Sequence, residues 1–158
     1  MSILNAHDVV RFAIRIEEDG ELFYREAARL TEDREAKALF SRLADEEVGH
    51  RKIFQTISEN IGEYAPPETY DGEYMAYLRD HIDGKAVFRE DLKGSLKAHL
   101  GSVLTAIDFA IGRETDSILY YQEARVFVPG RQQGIVDRII EEERKHFILL
   151  SNVRKGYL

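Results

Sequence analysis

Apolar residues recur at three- and four-residue intervals through four long stretches of the 158-residue chain, the spacing of helices with one buried face. The first stretch predicts a helix over about 6–30, with Val10, Ala13, Ile14, Tyr24 and Ala28 on one stripe. Thr31-Glu32-Asp33 supplies cap-type residues, and a second helix follows over about 34–61 with the stripe Leu39, Phe40, Leu43, Phe54 and Ile57. Ser102, after Gly101, is a reasonable N-cap for a third helix to about Phe127, striped by Ile107, Ala110, Ile111, Ile118 and Tyr121. Pro129-Gly130 breaks the chain, and a fourth helix runs to about Lys155 with Val136, Ile139, Ile140, Leu150 and Val153 inward. Strand-type alternation is scarce and only three prolines occur, so the expected fold class is all-α.

The links between these helices are unequal. Helices 1 and 2, and helices 3 and 4, are joined by a few residues each, which predicts two antiparallel hairpins, about 6–61 and about 102–155. Between them lies a crossover of roughly 40 residues, about 62–101, containing Pro66-Pro67 and a short helical patch from Glu73 to Ile82. Tyr64, Tyr70, Tyr74 and Tyr77 fall in it and are expected to pack it onto a four-helix bundle within one domain, 1–158.

The two hairpins repeat each other. Glu17, Asp19, Leu22 and Tyr24 recur 97 positions later as Glu114, Asp116, Leu119 and Tyr121. Arg42, Glu46, Glu47 and His50 recur 96 positions later as Arg138, Glu142, Glu143 and His146. One Glu-x-x-His pair would carry little weight in a chain with 18 glutamates and five histidines, but two at equivalent places in a repeat carry much more. Residues i and i+3 share a helix face, so Glu47 with His50, and Glu143 with His146, are able to meet one metal pair. Glu17 and Glu114 lie on the apolar stripes of the other two helices and complete a set of four carboxylates and two imidazoles, the arrangement of di-iron carboxylate bundles.

Burying ionised carboxylates without partners costs several kcal/mol each. No lysine or arginine falls on these stripes near enough in sequence to neutralise all four, whereas two divalent ions would balance them with the histidines as neutral ligands. Such ligation suits iron, manganese or zinc. Glu47 and Glu143 are expected to bridge, with Glu17 and Glu114 terminal. Tyr24 and Tyr121 read equally as hydrogen-bond donors to the carboxylates or as plain core aromatics, and Glu46 and Glu142, about 100° round the helix from their neighbours, read as surface residues.

Composition narrows the classes. A hydrophobic share of 44% is that of a folded domain. The net charge of −7 argues against nucleic acid as a partner. The absence of cysteine excludes disulfides, thiol redox chemistry and iron–sulfur clusters. Neither a signal peptide nor a membrane span is apparent, so no membrane partner is expected and a cytoplasmic location follows by default.

Taken together, Glu17-x-x-Gly20-x-x-Phe23-Tyr24, Glu47-x-x-His50, Glu114-x-Asp116-Ser117-x-x-Tyr120-Tyr121 and Glu143-x-x-His146 resemble the rubrerythrin-like branch of the ferritin-like superfamily. The resemblance implies a ferritin-like bundle and a non-haem di-iron centre held by Glu17, Glu47, His50, Glu114, Glu143 and His146. It implies an oxidoreductase that reacts with peroxide or dioxygen, and a homodimer. Rubrerythrins proper carry a cysteine-ligated iron domain; a chain without cysteine must draw electrons from an external donor. Peroxidase members have a further glutamate three residues after the helix 3 ligand, where Ser117 stands here, so the expected site is more symmetric than theirs. A ferroxidase or iron-handling protein, and a non-catalytic helical binding module, are the alternative readings.

Overall fold

The computed structural model describes residues 5–62, 76 and 100–158. Among them are four long helices, α1 (Ala6–Leu30), α2 (Arg34–Asn60), α3 (Val103–Ala124) and α4 (Gly130–Arg154), with short 3-10 turns at Arg125–Phe127 and Lys155–Tyr157. The crossover tyrosines Tyr64, Tyr70, Tyr74 and Tyr77, and the helical patch expected from Glu73 to Ile82, lie outside the described residues save for Ala76.

The helix starts follow from capping chemistry. Asn5 accepts from the Asp8 amide at 3.0 Å while its own amide donates to the Asp8 carboxylate at 3.1 Å, a reciprocal capping box for α1. Asp33 accepts from the Ala36 amide at 2.9 Å and caps α2. Ser102 accepts from the Thr105 amide at 3.1 Å and caps α3. Thr31 and Asp33 are extended, so the chain reverses tightly and α2 packs antiparallel on α1. Pro129 does the same before α4.

The hairpins also face each other in antiparallel order. Val9 of α1 meets Tyr120 of α3, whose hydroxyl donates to the Val9 carbonyl at 2.8 Å, and Ile16 meets Arg113. Likewise Glu46 and His50 of α2 meet His146 and Glu142 of α4. Every helix therefore runs opposite to both of its neighbours, and α2 ends at the other end of the bundle from the start of α3. The 27 residues of α2 span about 40 Å. That span requires the long link which the sequence places between the hairpins.

The core consists of two apolar blocks. One gathers Val9, Val10, Ile16, Phe54, Ile57, Tyr121, Phe127, Val136 and Ile139; the other gathers Phe23, Tyr24, Leu39, Phe40, Leu43, Ile107 and Leu150. Each block holds an aromatic pair with one ring from α2: Tyr24 stacks near Phe40 at 6.2 Å and Tyr121 lies 4.9 Å from Phe54. Between the blocks, where further apolar side chains would be expected, the bundle buries glutamate and histidine. No helix among the described residues is long and apolar enough to cross a membrane.

Candidate metal centre

Each helix contributes to this central layer from a position set by its stripe. Glu17 on α1 is fully buried, and Glu47, His50, Glu114, Glu143 and His146 are each no more than 5% exposed. Their donor atoms form two groups, Glu17, Glu47, His50 and Glu143, and Glu47, Glu114, Glu143 and His146, with atoms lying within 4.8 Å of one another in each. All six residues singled out from the repeat are thus brought together, and both groups share Glu47 and Glu143.

The two imidazoles face one another, with centroids 5.7 Å apart and planes 22° from parallel. Each turns Nδ1 inward. His50 Nδ1 lies 3.0 Å from Glu143 Oε1 and 3.7 Å from Glu17 Oε2; His146 Nδ1 lies 3.0 Å from Glu143 Oε2 and 3.6 Å from Glu114 Oε2. Each turns Nε2 outward, to Glu142 at 2.7 Å and Glu46 at 2.5 Å respectively. Glu46 and Glu142 are therefore not the simple surface residues expected from their angle on the helix. Position 46 points sideways to α4 rather than away from the bundle, and a glutamate there is long enough to reach the histidine of the other hairpin. Glu46 is held in turn by Arg42 at 2.8 Å.

The tyrosines also act across the halves. The Tyr24 hydroxyl donates to Glu114 Oε1 and the Tyr121 hydroxyl to Glu17 Oε1. Seven residues is about 10 Å along a helix, too far for a phenol to return to its own glutamate but level with the glutamate of the antiparallel neighbour. The hydrogen-bonding alternative is the one the fold adopts.

The protonation pattern is that of crowded like charge. Burial pushes Glu47 well above the carboxylate range, and the charges of Glu17 and Glu143 push it further. Burial and the Glu143 charge raise Glu114 to about 8 against the pull of His146. Burial acts on Glu143 in the same sense, but the hydrogen bond from His146 and the close charge of His50 outweigh it and hold its carboxyl below the ordinary range. Burial disfavours charge on the histidines, yet the carboxylates prevail: Glu143 and Glu17 lift His50 to about 12, and Glu114 and Glu143 lift His146 to about 11. Burial, with Glu114 beside Tyr24 and Glu17 beside Tyr121, keeps both phenols protonated well above their usual range.

Among the buried atoms without a hydrogen-bond partner are Glu17 Oε2 and His50 Nδ1, which belong to the same donor group. His50 Nδ1 is near Glu143 without the direction of a hydrogen bond. Orphaned buried polar atoms are rare because they forfeit solvation without recompense; a cation between them, taking the place of the imidazole proton, would satisfy both. Four carboxylates and two imidazole nitrogens are oxygen and nitrogen donors of the kind that hold iron, manganese or zinc. The residues fit a metal centre.

Two residues of the layer were not anticipated from the stripes. Ser117 is buried at the place equivalent to Gly20, and neither adds a carboxylate. Arg113 is buried as well, so one cation does lie beside the carboxylates, although a single charge does not neutralise all four. The signal was present in the repeat, where Arg113 stands opposite Ile16, a charge at an apolar position.

The chain matches the family model described as Rubrerythrin over residues 8–153. Among solved structures it is similar to a Thermotoga maritima protein described as a candidate ferritin-like diiron-carboxylate protein. The two share 27% identity and a TM-score of 0.73, over 100% of this chain and 99% of that one. No curated protein matches the chain.

Proposed function

The chain belongs to the rubrerythrin family, and from that premise we infer that it is a di-iron oxidoreductase acting on peroxide or dioxygen with electrons from an external donor. The observation that carries this reading is the pair of donor groups sharing Glu47 and Glu143. Glu17 and His50 would complete the set for one ion, Glu114 and His146 for the other, with the shared glutamates between them. When bound there, a redox-active metal pair would supply two electrons for reduction of the oxidant, and the external donor would restore them.

The protein's own part is charge balance, orientation and exclusion of water. Glu142 and Glu46 fix each imidazole with Nε2 protonated, leaving Nδ1 as the inward donor. Tyr24 and Tyr121 hold Glu114 and Glu17 by their hydroxyls and leave the second oxygen of each carboxylate free. The apolar blocks on either side keep the layer dry and strengthen each electrostatic contact within it. Ser117 and Gly20, at equivalent positions without a carboxylate, support a symmetric site.

Anaerobic titration with ferrous iron should saturate near two ions per chain, and added peroxide should then oxidise them rapidly. Uptake of one ion or none would sink the reading.

A further inference from the structure

A positive charge is buried beside the carboxylates. Arg113 is 5% exposed and is the only lysine or arginine in the core among the described residues. It precedes Glu114 on α3, and its side chain crosses to α1. There Nη2 donates to the Ile16 carbonyl at 3.1 Å, and the guanidinium lies 5.9 Å over the Phe23 ring. Nη1 is buried and has no hydrogen-bond partner.

Gly20 makes room for this arrangement. A Cβ at Gly20 would fall 2.8 Å from Glu47 Oε2 and 3.1 Å from Arg113 Nη2. The absent side chain is thus the space against which a shared glutamate of the metal centre and the guanidinium both rest. The charge is one-sided, because the repeat places Ile16 opposite Arg113. Asp19 also feels Arg113, but it is half-buried and carries Arg15 at 4.0 Å on its outer side. The three together keep one positive charge.

We propose that Arg113 is a positioning residue that sets the charge of the metal centre, leaving the loaded site with one positive charge in excess and so receptive to a small anion. The proposal rests on the metal-centre reading above. Within the buried layer four carboxylates offset two divalent ions; of the outer acids, Glu46 is paired with Arg42 at 2.8 Å and Glu142 is 52% exposed and screened by water, so the fixed guanidinium charge stands over. In a dry interior that charge is felt across the cluster. It opposes cation binding and favours an anion that joins the metals, so removing it moves the two affinities in opposite directions. A residue that only packed α1 against α3 would move both downward or neither.

The test uses the full chain freed of metal by chelation, cobalt(II) as the cation and azide as the anion, both followed by cobalt absorption. In Arg113→Met, cobalt should bind more tightly and azide more weakly, each by at least about tenfold and cobalt by more because it carries twice the charge, since a unit charge within about 12 Å at an effective dielectric near 20 is worth at least that factor. Arg113→Lys, which keeps the charge, should restore both toward the parent values. Asp19→Asn, a half-buried position that tolerates the change, should shift both affinities a few-fold in the opposite sense by uncovering Arg113. That second variant serves if Arg113→Met does not fold. Affinities that fall together, or that do not move in either variant, overturn the charge role while leaving the metal centre intact. A parent protein that takes up no cobalt overturns both.

Discussion

Glu142→Ala and Glu46→Ala should each weaken one, and a different one, of two metal-binding steps. Glu142 holds Nε2 of His50 at 2.7 Å, and His50 belongs with Glu17; Glu46 holds Nε2 of His146 at 2.5 Å, and His146 belongs with Glu114. Outer carboxylates of this kind, hydrogen-bonded to a ligating imidazole, contribute about 10–100-fold in metal affinity. The Glu142 side chain is 52% exposed, so water screens its charge and replaces part of its hydrogen bond. Its loss should cost about tenfold, or about 1.4 kcal/mol. Glu46 is 34% exposed and fixed by Arg42, and its loss should approach about 100-fold. Calorimetric titration of the metal-free variants with ferrous iron under anaerobic conditions separates the two steps. Glu142→Gln, which keeps an acceptor without the charge, should fall between parent and alanine. If the alanine variants leave both steps unchanged, or if both weaken the same step, the pairing of each outer acid with one metal is wrong.

Tyr121→Phe and Tyr24→Phe each strip a donor from a buried carboxylate and should destabilise the metal-free protein by about 1–3 kcal/mol, read from denaturant unfolding. An effect below that range would mean that water takes the place of the phenol. Glycines offer an internal contrast. Gly20→Ala should lower stability, since its Cβ would lie 2.8 Å from Glu47 Oε2, whereas Gly112→Ala, at an exposed position of α3, meets nothing within 4 Å and should add about 0.5–1 kcal/mol. Equal effects at the two positions in thermal melts would remove the case for a close approach at Gly20. The pH dependence has a definite sign. His50 and His146, raised to about 12 and about 11, stabilise the metal-free fold fully below their ordinary value of 6.5 and lose that contribution as pH climbs. Glu114, raised from 4.5 to about 8, adds stability at low pH that is lost across that interval. The metal-free Tm should therefore fall between about pH 6 and pH 9. The rise produced by zinc, which must displace those protons, should grow over the same window. A metal-free Tm that climbs with pH would refute this.

The fold and the inner site were largely legible because both depend on spacing along single helices. The apolar period, the Asp33 and Ser102 caps and the Pro129-Gly130 break are local signals, and the helices that follow begin where those signals stand. The Glu-x-x-His pairs were readable for the same reason, since three residues along a helix keep a face whatever it packs against. Their weight came from the duplication, which needs no coordinates.

What the sequence determined by itself was therefore the set of inward-facing carboxylates and imidazoles and the four helices that carry them. What only the tertiary structure decided was which groups meet across helices. Tyr24 serves Glu114 and Tyr121 serves Glu17 because α1 and α3 run antiparallel in a particular register, and no local pattern records that register. Glu46 and Glu142 reach the opposite histidines because α2 and α4 lie side by side, so a residue 100° off the inward direction still faces protein. Arg113 lies in the core because Gly20, on another helix, has no side chain to exclude it. Helical periodicity assigns each residue a direction on its own helix; its partner depends on how the helices lie against each other, which only their packing fixes.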